Sequence, residues 1–296
     1  MVVYSIKDLE TLSGVKAHTL RIWEKRYDLI QPRRTRTNIR YYTDQDLRKL
    51  LNVCFLYNKG YKISKIGQMD AETIKEKVSG YSKVNLSFED QLDALLIFIL
   101  ELDSYNFNKV LDQHISQKGL AQTMEDLIYP LLDKLSIAWM SGSFLDVHES
   151  FVTQIIKAKI LFCTESIKEL PSDKPSFVCY LPPNEKQELS LLFFNYVLRS
   201  NGCKTINLGN DVNHKDLKYA IETCKPDFVF TIINEEITNM PLQNYLDQVK
   251  EDLGSAQLLL TGFQTMTPGI LWPDKITVLE SLKDTIDYIK KLAPTS

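Results

Sequence analysis

The sequence has no long hydrophobic run and no concentration of cysteine or histidine. Its longest apolar run, Ala94–Leu100, has seven residues, far short of the roughly 18 that a membrane-spanning helix needs. Charged residues begin at Lys7 with no apolar block before them, so we expect no signal peptide. The five cysteines include no CxxC pair, and the four histidines are dispersed. These absences argue against a disulfide framework and a metal cluster, and predict a cytoplasmic protein without membrane contact.

Charge is distributed unevenly along the chain. Residues 1–75 carry 15 Lys and Arg against 8 Asp and Glu, whereas the remaining 221 residues carry 20 against 30. A small basic segment joined to a larger acidic one indicates that the first part binds a polyanion. The overall composition, 44% hydrophobic and 25% charged, is typical of folded domains and excludes a largely disordered protein.

Two short helices and an arginine-rich loop are predicted at the start of the chain. Ser5 precedes the first helical segment as an N-cap, and Gly14 ends it at a tight turn. The second segment, about 16–25, places basic side chains outward, and this order is typical of a helix-turn-helix. The loop 31–42 has four arginines within eight residues, together with tyrosines. Such side chains suit charge-assisted hydrogen bonds to phosphates.

Residues 87–170 have apolar side chains at helical spacing. The apolar stripes predict an antiparallel four-helix bundle, and they lie within residues 92–102, 110–115, 127–135 and 152–161. A proline-containing linker follows at 171–175.

Beyond the linker, short apolar runs alternate with helix-length segments. This alternation predicts a flavodoxin-like parallel sheet covered by helices on both faces. The predicted strands are 177–181, 205–208, 228–233, 258–260 and 276–279. The connection 261–275 is predicted to be a loop. The fold class is therefore multi-domain, α+β and α/β, with domains 1–75, 76–170 and 171–296.

The N-terminal segment also carries an ordered series of motifs. They are Ser13-Gly14-Val15, Thr19-Leu20-Arg21-Ile22-Trp23-Glu24-Lys25-Arg26-Tyr27, Pro32-Arg33-Arg34-Thr35 and Ile39-Arg40-Tyr41-Tyr42. In this order they resemble the MerR family of winged-helix transcriptional regulators over about residues 3–70. The sequence departs from that family at Asp28, a usual glycine position, and at Thr37-Asn38, a predicted hairpin turn where two glycines are common.

This resemblance implies binding of double-stranded DNA at a palindromic operator by a homodimer, with a higher oligomer as the alternative. The second helix would enter the major groove, and the loop, as a wing, would hold the flanking backbone. Leu20, Trp23 and Ile39 are expected in the core. The residues expected on DNA are Thr19, Arg21, Lys25, Tyr27, Arg34, Arg40 and Tyr41.

The rest of the chain, residues 85–293, resembles the effector half of light-responsive, cobalamin-dependent regulators of this family. Those proteins carry a four-helix bundle followed by a flavodoxin-like cobalamin-binding domain. Trp139, followed ten residues later by Glu149, resembles the bundle motif whose tryptophan lies over the corrin. His148 precedes that glutamate, and we interpret it as a helix-surface or hydrogen-bonded residue rather than a cobalt ligand.

Residues 85–293 depart from the family's sequence at the positions where the family binds its cofactor. The lower axial cobalt ligand of the family is a histidine two residues after an acidic residue, whereas Glu185 is followed by Gln187 here. A carboxamide oxygen is a weaker transition-metal donor than imidazole. We therefore expect no cofactor; base-on cobalamin, without a protein ligand, is the alternative. The candidate pocket residues are Trp139, Glu149, Glu185, Gln187, Thr231, Thr261 and Gly262.

Three functions are left open by the sequence. The first is a regulator independent of cobalamin, controlled by another ligand, a partner protein or a related subunit. The second is a cobalamin-dependent, light-responsive repressor with an unusual lower face. The third is an enzyme, either a cobalamin-dependent methyltransferase or a nucleotide-binding one. It is disfavoured because residues 181–184 form no Gly-rich phosphate loop and no catalytic triad is indicated. Asp211, Glu235 and Glu236 are interpreted as solvated caps, so we predict no catalytic residue.

Overall fold

The structure, a computed structural model, describes residues 3–34, 38–81, 88–140, 145–168, 173–237 and 240–292. The chain divides into two compact units, Met1–Ile155 and Ile156–Ser296. The division into three domains, 1–75, 76–170 and 171–296, is finer and stays a prediction.

The first unit begins with a winged helix. A small antiparallel sheet has the order β1-β3-β2, with strands β1 (Val3–Tyr4), β2 (Arg33–Arg34) and β3 (Arg40–Thr43). The helices that accompany it are α1 (Ile6–Ser13), α2 (Ala17–Tyr27), α3 (Asp44–Asn58), α4 (Ile63–Ile66) and α5 (Ala71–Tyr81). The predicted helix-turn-helix is therefore confirmed, and its second helix continues two residues beyond the predicted end.

Local sequence explains the ends of these first helices. The Ser5 hydroxyl accepts a hydrogen bond from the Asp8 N–H at 3.2 Å, and the Asp8 carboxylate accepts one from the Ser5 N–H at 2.7 Å. This reciprocal capping box satisfies two amides that the helix leaves free. Gly14 ends α1 at φ 71°, a backbone conformation that glycine adopts without steric cost. Asp28 ends α2 at φ 52°, so the aspartate takes the left-handed conformation that the family usually gives to glycine.

The predicted bundle helices are also present. They are α6 (Phe88–Glu101), α7 (Ser104–Thr123), α8 (Tyr129–Met140) and α9 (Asp146–Glu165). A π-helical turn, Met124–Ile128, joins α7 to α8, and Gly119 kinks α7 with φ 79° and ψ 165°. Two of the predicted apolar stripes end with Leu102 and Leu161, which were expected to be buried. Both predictions are wrong, because the two side chains are exposed. Leu102 lies after the end of α6 at φ 52°, and Leu161 is turned about 100° from its buried neighbour Ile160.

The second unit contains a parallel sheet of order β5-β4-β6-β7-β8. The strands are β4 (Ser176–Tyr180), β5 (Lys204–Gly209), β6 (Phe228–Ile232), β7 (Gln257–Thr261) and β8 (Ile276–Leu279). The helices are α10 (Glu188–Ser200), α11 (His214–Cys224), α12 (Leu242–Asp252) and α13 (Leu282–Leu292). One apolar core joins the sheet to α11 and α12, while α10 and α13 contact its strands and each other. The flavodoxin-like prediction is confirmed, and the predicted loop at 261–275 includes a short 3₁₀ turn, Phe263–Met266.

No helix in the described ranges is long and apolar enough to cross a membrane.

Candidate nucleic-acid interface and sheet-edge crevice

Helix α2 buries one face and exposes a basic one. Leu20 and Trp23 are buried, as predicted, and the Trp23 ring packs edge-on against Tyr57 with 5.3 Å between centroids. Arg21 and Lys25 are exposed. They are four residues apart, so they lie on the same helix face. The burial of one face therefore directs these two cations outward together.

Two other predicted contacts on α2 have protein neighbours. Thr19 is half-buried, and its hydroxyl oxygen lies 3.2 Å from Nε2 of His18. Tyr27 is also half-buried and lies against Gly67, because a Cβ at that glycine would come within 3.2 Å of the tyrosine Cβ. Both side chains keep some exposure, and their contacts with DNA stay predictions.

The wing places two arginines directly opposite each other. Arg34 of β2 pairs with Arg40 of β3 in antiparallel register, an arrangement in which like charges repel. The Arg34 guanidinium donates a 2.6 Å hydrogen bond to the side-chain oxygen of Asn38. Tyr41 is half-buried and pairs with Arg33. Two exposed cations are therefore held close together on the wing, and their contacts with DNA stay predictions.

One predicted core residue of the wing is wrong. Ile39 is 64% exposed. It precedes β3, whereas β1 pairs with that strand only at Tyr42 and Thr43, so the paired part of the sheet stops short of it. The predicted turn at Thr37-Asn38 is described only in part, since residues 35–37 lie outside the described ranges. Asn38 has φ 65°, the left-handed conformation common in turns.

Helix α2 and the wing share a groove of about 400 Å³. Arg21, Lys25 and Arg40, three of the predicted DNA contacts, line it together with Glu24 and Asp28. The structure therefore brings the recognition helix and the wing arginine to one surface, as the resemblance implies.

Sequence analysis missed the role of Glu24 in this groove. Its carboxylate accepts a 3.1 Å hydrogen bond from the Tyr42 hydroxyl and lies 3.6 Å from Nε of Arg40. Tyr42 is buried, and burial, together with the Glu24 charge, raises the pKa of its phenol to about 12. The only signal in the sequence was an acidic residue inside a basic helical motif.

In the second unit, Glu185 lies at the sheet edge formed by the carboxyl ends of β4 and β6. It is only 5% exposed. One of its carboxylate oxygens accepts hydrogen bonds from the N–H groups of Asn234 (2.6 Å) and Glu235 (3.1 Å), and the other accepts one from the Lys186 N–H at 2.8 Å. The carboxylate therefore holds the loop after β4 against the loop after β6.

The remaining crevice candidates are engaged within the sheet. The Thr231 hydroxyl donates to the Tyr180 carbonyl at 2.9 Å, and the Thr261 hydroxyl donates to the Leu279 carbonyl at 2.7 Å. Gly262 has φ 117°, and a Cβ there would lie 2.5 Å from the Ile233 carbonyl oxygen. The space beside Gly262 is therefore occupied by the Ile233 backbone.

Gln187 is half-buried at the start of α10. Its side-chain oxygen lies 3.3 Å from the Ser190 hydroxyl, which donates to it. Across the described residues, no group of three or more His, Cys, Asp and Glu side chains is arranged to hold a metal ion.

Of the three bundle residues considered in the sequence, the structure describes the side chains of two. The side chain of Trp139 lies outside the described part of the structure. Glu149 is exposed on α9. His148 is buried, and its Nδ1 accepts a hydrogen bond from the Leu145 N–H at 3.2 Å, which caps the start of α9. The interpretation of His148 as a hydrogen-bonded residue is confirmed.

Comparison with known proteins agrees with the basic winged helix. Residues 4–73 match the family described as MerR HTH family regulatory protein. These residues contain α1 to α4 and the groove between α2 and the wing. The N-terminal part of the chain is therefore a MerR-type helix-turn-helix domain.

The similarity to particular regulators extends well beyond that domain. The chain is 27% identical over 232 residues to the HTH-type transcriptional repressor CarH of Myxococcus xanthus, covering 76% of this chain and 77% of that protein. It is 22% identical over 228 residues to the repressor CarA of the same organism, covering 76% and 74%.

A solved structure shares the fold of the remainder. The monomethylamine corrinoid protein of Methanosarcina barkeri is 11% identical, with a TM-score of 0.50, and the match covers 69% of this chain and 99% of that one. At this identity the likeness shows the fold alone. The chain thus combines a MerR-type helix-turn-helix domain with a module whose fold resembles that of a corrinoid protein.

Proposed function

We propose that this protein regulates transcription as a cytoplasmic dimer that binds a palindromic operator. The observation that carries the proposal is the groove in which Arg21 and Lys25 of α2 meet Arg40 of the wing. In this proposal α2 enters the major groove, and its exposed cations reach bases and adjacent phosphates. The wing arginines Arg34 and Arg40, with Tyr27 and Tyr41, contact the flanking backbone.

The effector part is proposed to work without cobalamin and without catalysis. The crevice residues do not fit the cofactor as a dedicated site. The Glu185 carboxylate is engaged by three backbone N–H groups, the ligand position holds Gln187, and Gly262 packs against Ile233. A weak carboxamide donor and an internally bonded crevice both favour a module controlled by another small ligand, a partner protein or a related subunit. We also propose that the chain consists of three domains, 1–75, 76–170 and 171–296.

DNA binding is tested with the full-length protein. Duplexes are selected from a random-sequence pool, the site is mapped by footprinting, and affinity is then measured from about 50 to about 200 mM salt. We expect a symmetric footprint and a steep fall of affinity with salt, because several arginines displace counterions. Failure to retain any duplex at low salt would contradict the proposed function.

Cofactor independence is tested by mixing the purified protein with adenosylcobalamin in the dark, removing free corrinoid by gel filtration, and recording the visible spectrum. We expect no retained colour for the wild-type protein. The variant Gln187→His is the matched comparison, because it places an imidazole where the family has its axial ligand. A corrin retained by the wild-type protein with shifted bands would favour the alternative, a cobalamin-dependent repressor with an atypical lower face.

A further inference from the structure

A carboxylate lies inside the cationic groove that is proposed to bind DNA. Glu24 is on the recognition helix between Arg21 and Lys25, and its side chain is 17% exposed. A negative charge at this place repels phosphates, so it lowers the attraction to every duplex regardless of sequence. Its presence calls for an explanation other than DNA affinity.

The contacts of Glu24 join the recognition helix to the wing. Its carboxylate accepts the hydroxyl proton of Tyr42 at 3.1 Å and lies 3.6 Å from Nε of Arg40. Tyr42 is fully buried in the middle strand of the small sheet, where it pairs with Tyr4. The hydrogen bond therefore anchors the recognition helix to a buried residue of β3, and the neighbouring ion pair orients the Arg40 guanidinium.

We propose that Glu24 is a positioning residue that fixes the wing against the recognition helix and thereby sets discrimination between DNA sequences at the cost of general affinity. The inference rests on the proposed DNA-binding function. Phosphate contacts fix the register of a protein on the duplex, and base contacts read the sequence within that register. A wing locked to α2 allows only one register, so the helix reads bases at one set of positions. An unlocked wing lets Arg40 follow phosphates in several registers.

Two variants each remove one of the two contacts that form the link. Glu24→Gln keeps an acceptor for the Tyr42 hydroxyl but removes the charge that orients Arg40. Tyr42→Phe keeps the buried ring but removes the hydroxyl. The matched control is Asp28→Asn, because Asp28 lines the same groove, whereas its carboxylate accepts a hydrogen bond from Gln31 at 2.9 Å. Asparagine also tolerates its left-handed backbone.

The experiment measures the affinity of each full-length protein for a duplex selected by the wild-type protein and for the same duplex in shuffled order. The discrimination ratio is the affinity for the selected duplex divided by that for the shuffled duplex. We expect Asp28→Asn to raise both affinities and to leave this ratio within about twofold of the wild type, since it changes only charge. Glu24→Gln should raise the affinity for the shuffled duplex and lower the ratio by roughly tenfold. Tyr42→Phe should lower the ratio in the same direction.

A ratio for Glu24→Gln equal to that of Asp28→Asn would overturn the positioning role, because charge alone would then account for the effect. A thermal unfolding curve checks that each variant is folded, and Tyr42→Phe carries the test if Glu24→Gln does not fold. If the wild-type protein binds no duplex at all, that separate result contradicts the proposed function itself.

Discussion

At the scale of single residues, Arg40 shows that a cation in the groove does not act alone. Arg40 faces Arg34 across the wing and Glu24 across the groove. The first neighbour raises the energy of the free protein, and the second orients the side chain. The two effects together prepare one guanidinium for a phosphate.

Replacing Arg40 by alanine should weaken binding to all duplexes to a similar extent. This variant has no guanidinium that could follow phosphates in other registers, and the Tyr42–Glu24 hydrogen bond remains, so the register of the recognition helix is kept. One lost phosphate contact should reduce the slope of log affinity against log salt by about 0.9. A salt titration with selected and shuffled duplexes checks this, and an unchanged slope would rule out the phosphate contact.

The buried phenol of Tyr42 leads to a prediction about how stability depends on pH. Its phenol has a pKa of about 12 in the folded protein, above its ordinary value of 10.0, mainly because of burial. Folding therefore favours the neutral form, and this stabilisation is complete below about pH 10 and is lost as the pH rises towards 12. Between about pH 10 and about pH 12, the urea midpoint should therefore fall less for Tyr42→Phe than for the wild type. Parallel pH curves for the two proteins would contradict the assignment.

At the scale of elements, local signals predicted more than distant ones. Ser5 and Gly14 mark the ends of α1 within a few residues, and apolar spacing predicted every bundle helix. Ile39 was misjudged because its burial depends on how far another strand extends. The pairs Glu24–Tyr42 and Glu185–Asn234 lie 18 and 49 residues apart in the chain, and no periodicity in one sequence shows which distant polar groups meet.

Gly262 gives a stability prediction for the sheet. Gly262→Ala should lower the free energy of unfolding by about 3 kcal/mol, because a Cβ would lie 2.5 Å from the Ile233 carbonyl oxygen at a backbone conformation suited to glycine. Gly209→Ala is the control, since Gly209 has φ 76° but open space around it, and it should cost about 1 kcal/mol. Urea unfolding measures both, and equal losses would show that the close approach is unimportant.

At the scale of the whole molecule, the winged helix is packed on the bundle within the first unit. Helix α3 contacts α6, and α1 contacts α8. A polar cluster lies at this junction, where Lys134 of α8 is 3.0 Å from the Asp93 carboxylate of α6 and Asn58 of α3 is 3.5 Å from it. The cluster therefore connects the winged helix to the bundle around an ion pair that is largely removed from water.

Breaking this ion pair should be more costly than replacing it. Lys134→Met leaves the Asp93 carboxylate without its cation, and we expect a loss of about 2 kcal/mol in the free energy of unfolding. The double variant Asp93→Leu, Lys134→Met removes both charges and should recover much of that loss. Urea unfolding of both single variants and the double variant completes the cycle, and additive losses would show that the two charges are uncoupled.

The bonded state of Glu185 has a consequence for biosynthesis. Because three backbone N–H groups of the protein itself bond this carboxylate, Glu185 needs no bound vitamin to complete its hydrogen bonds while the polypeptide matures. On the proposed function, cells starved of corrinoids should therefore accumulate as much of this protein as well-supplied cells do. Its abundance would then report on gene expression rather than on nutrition.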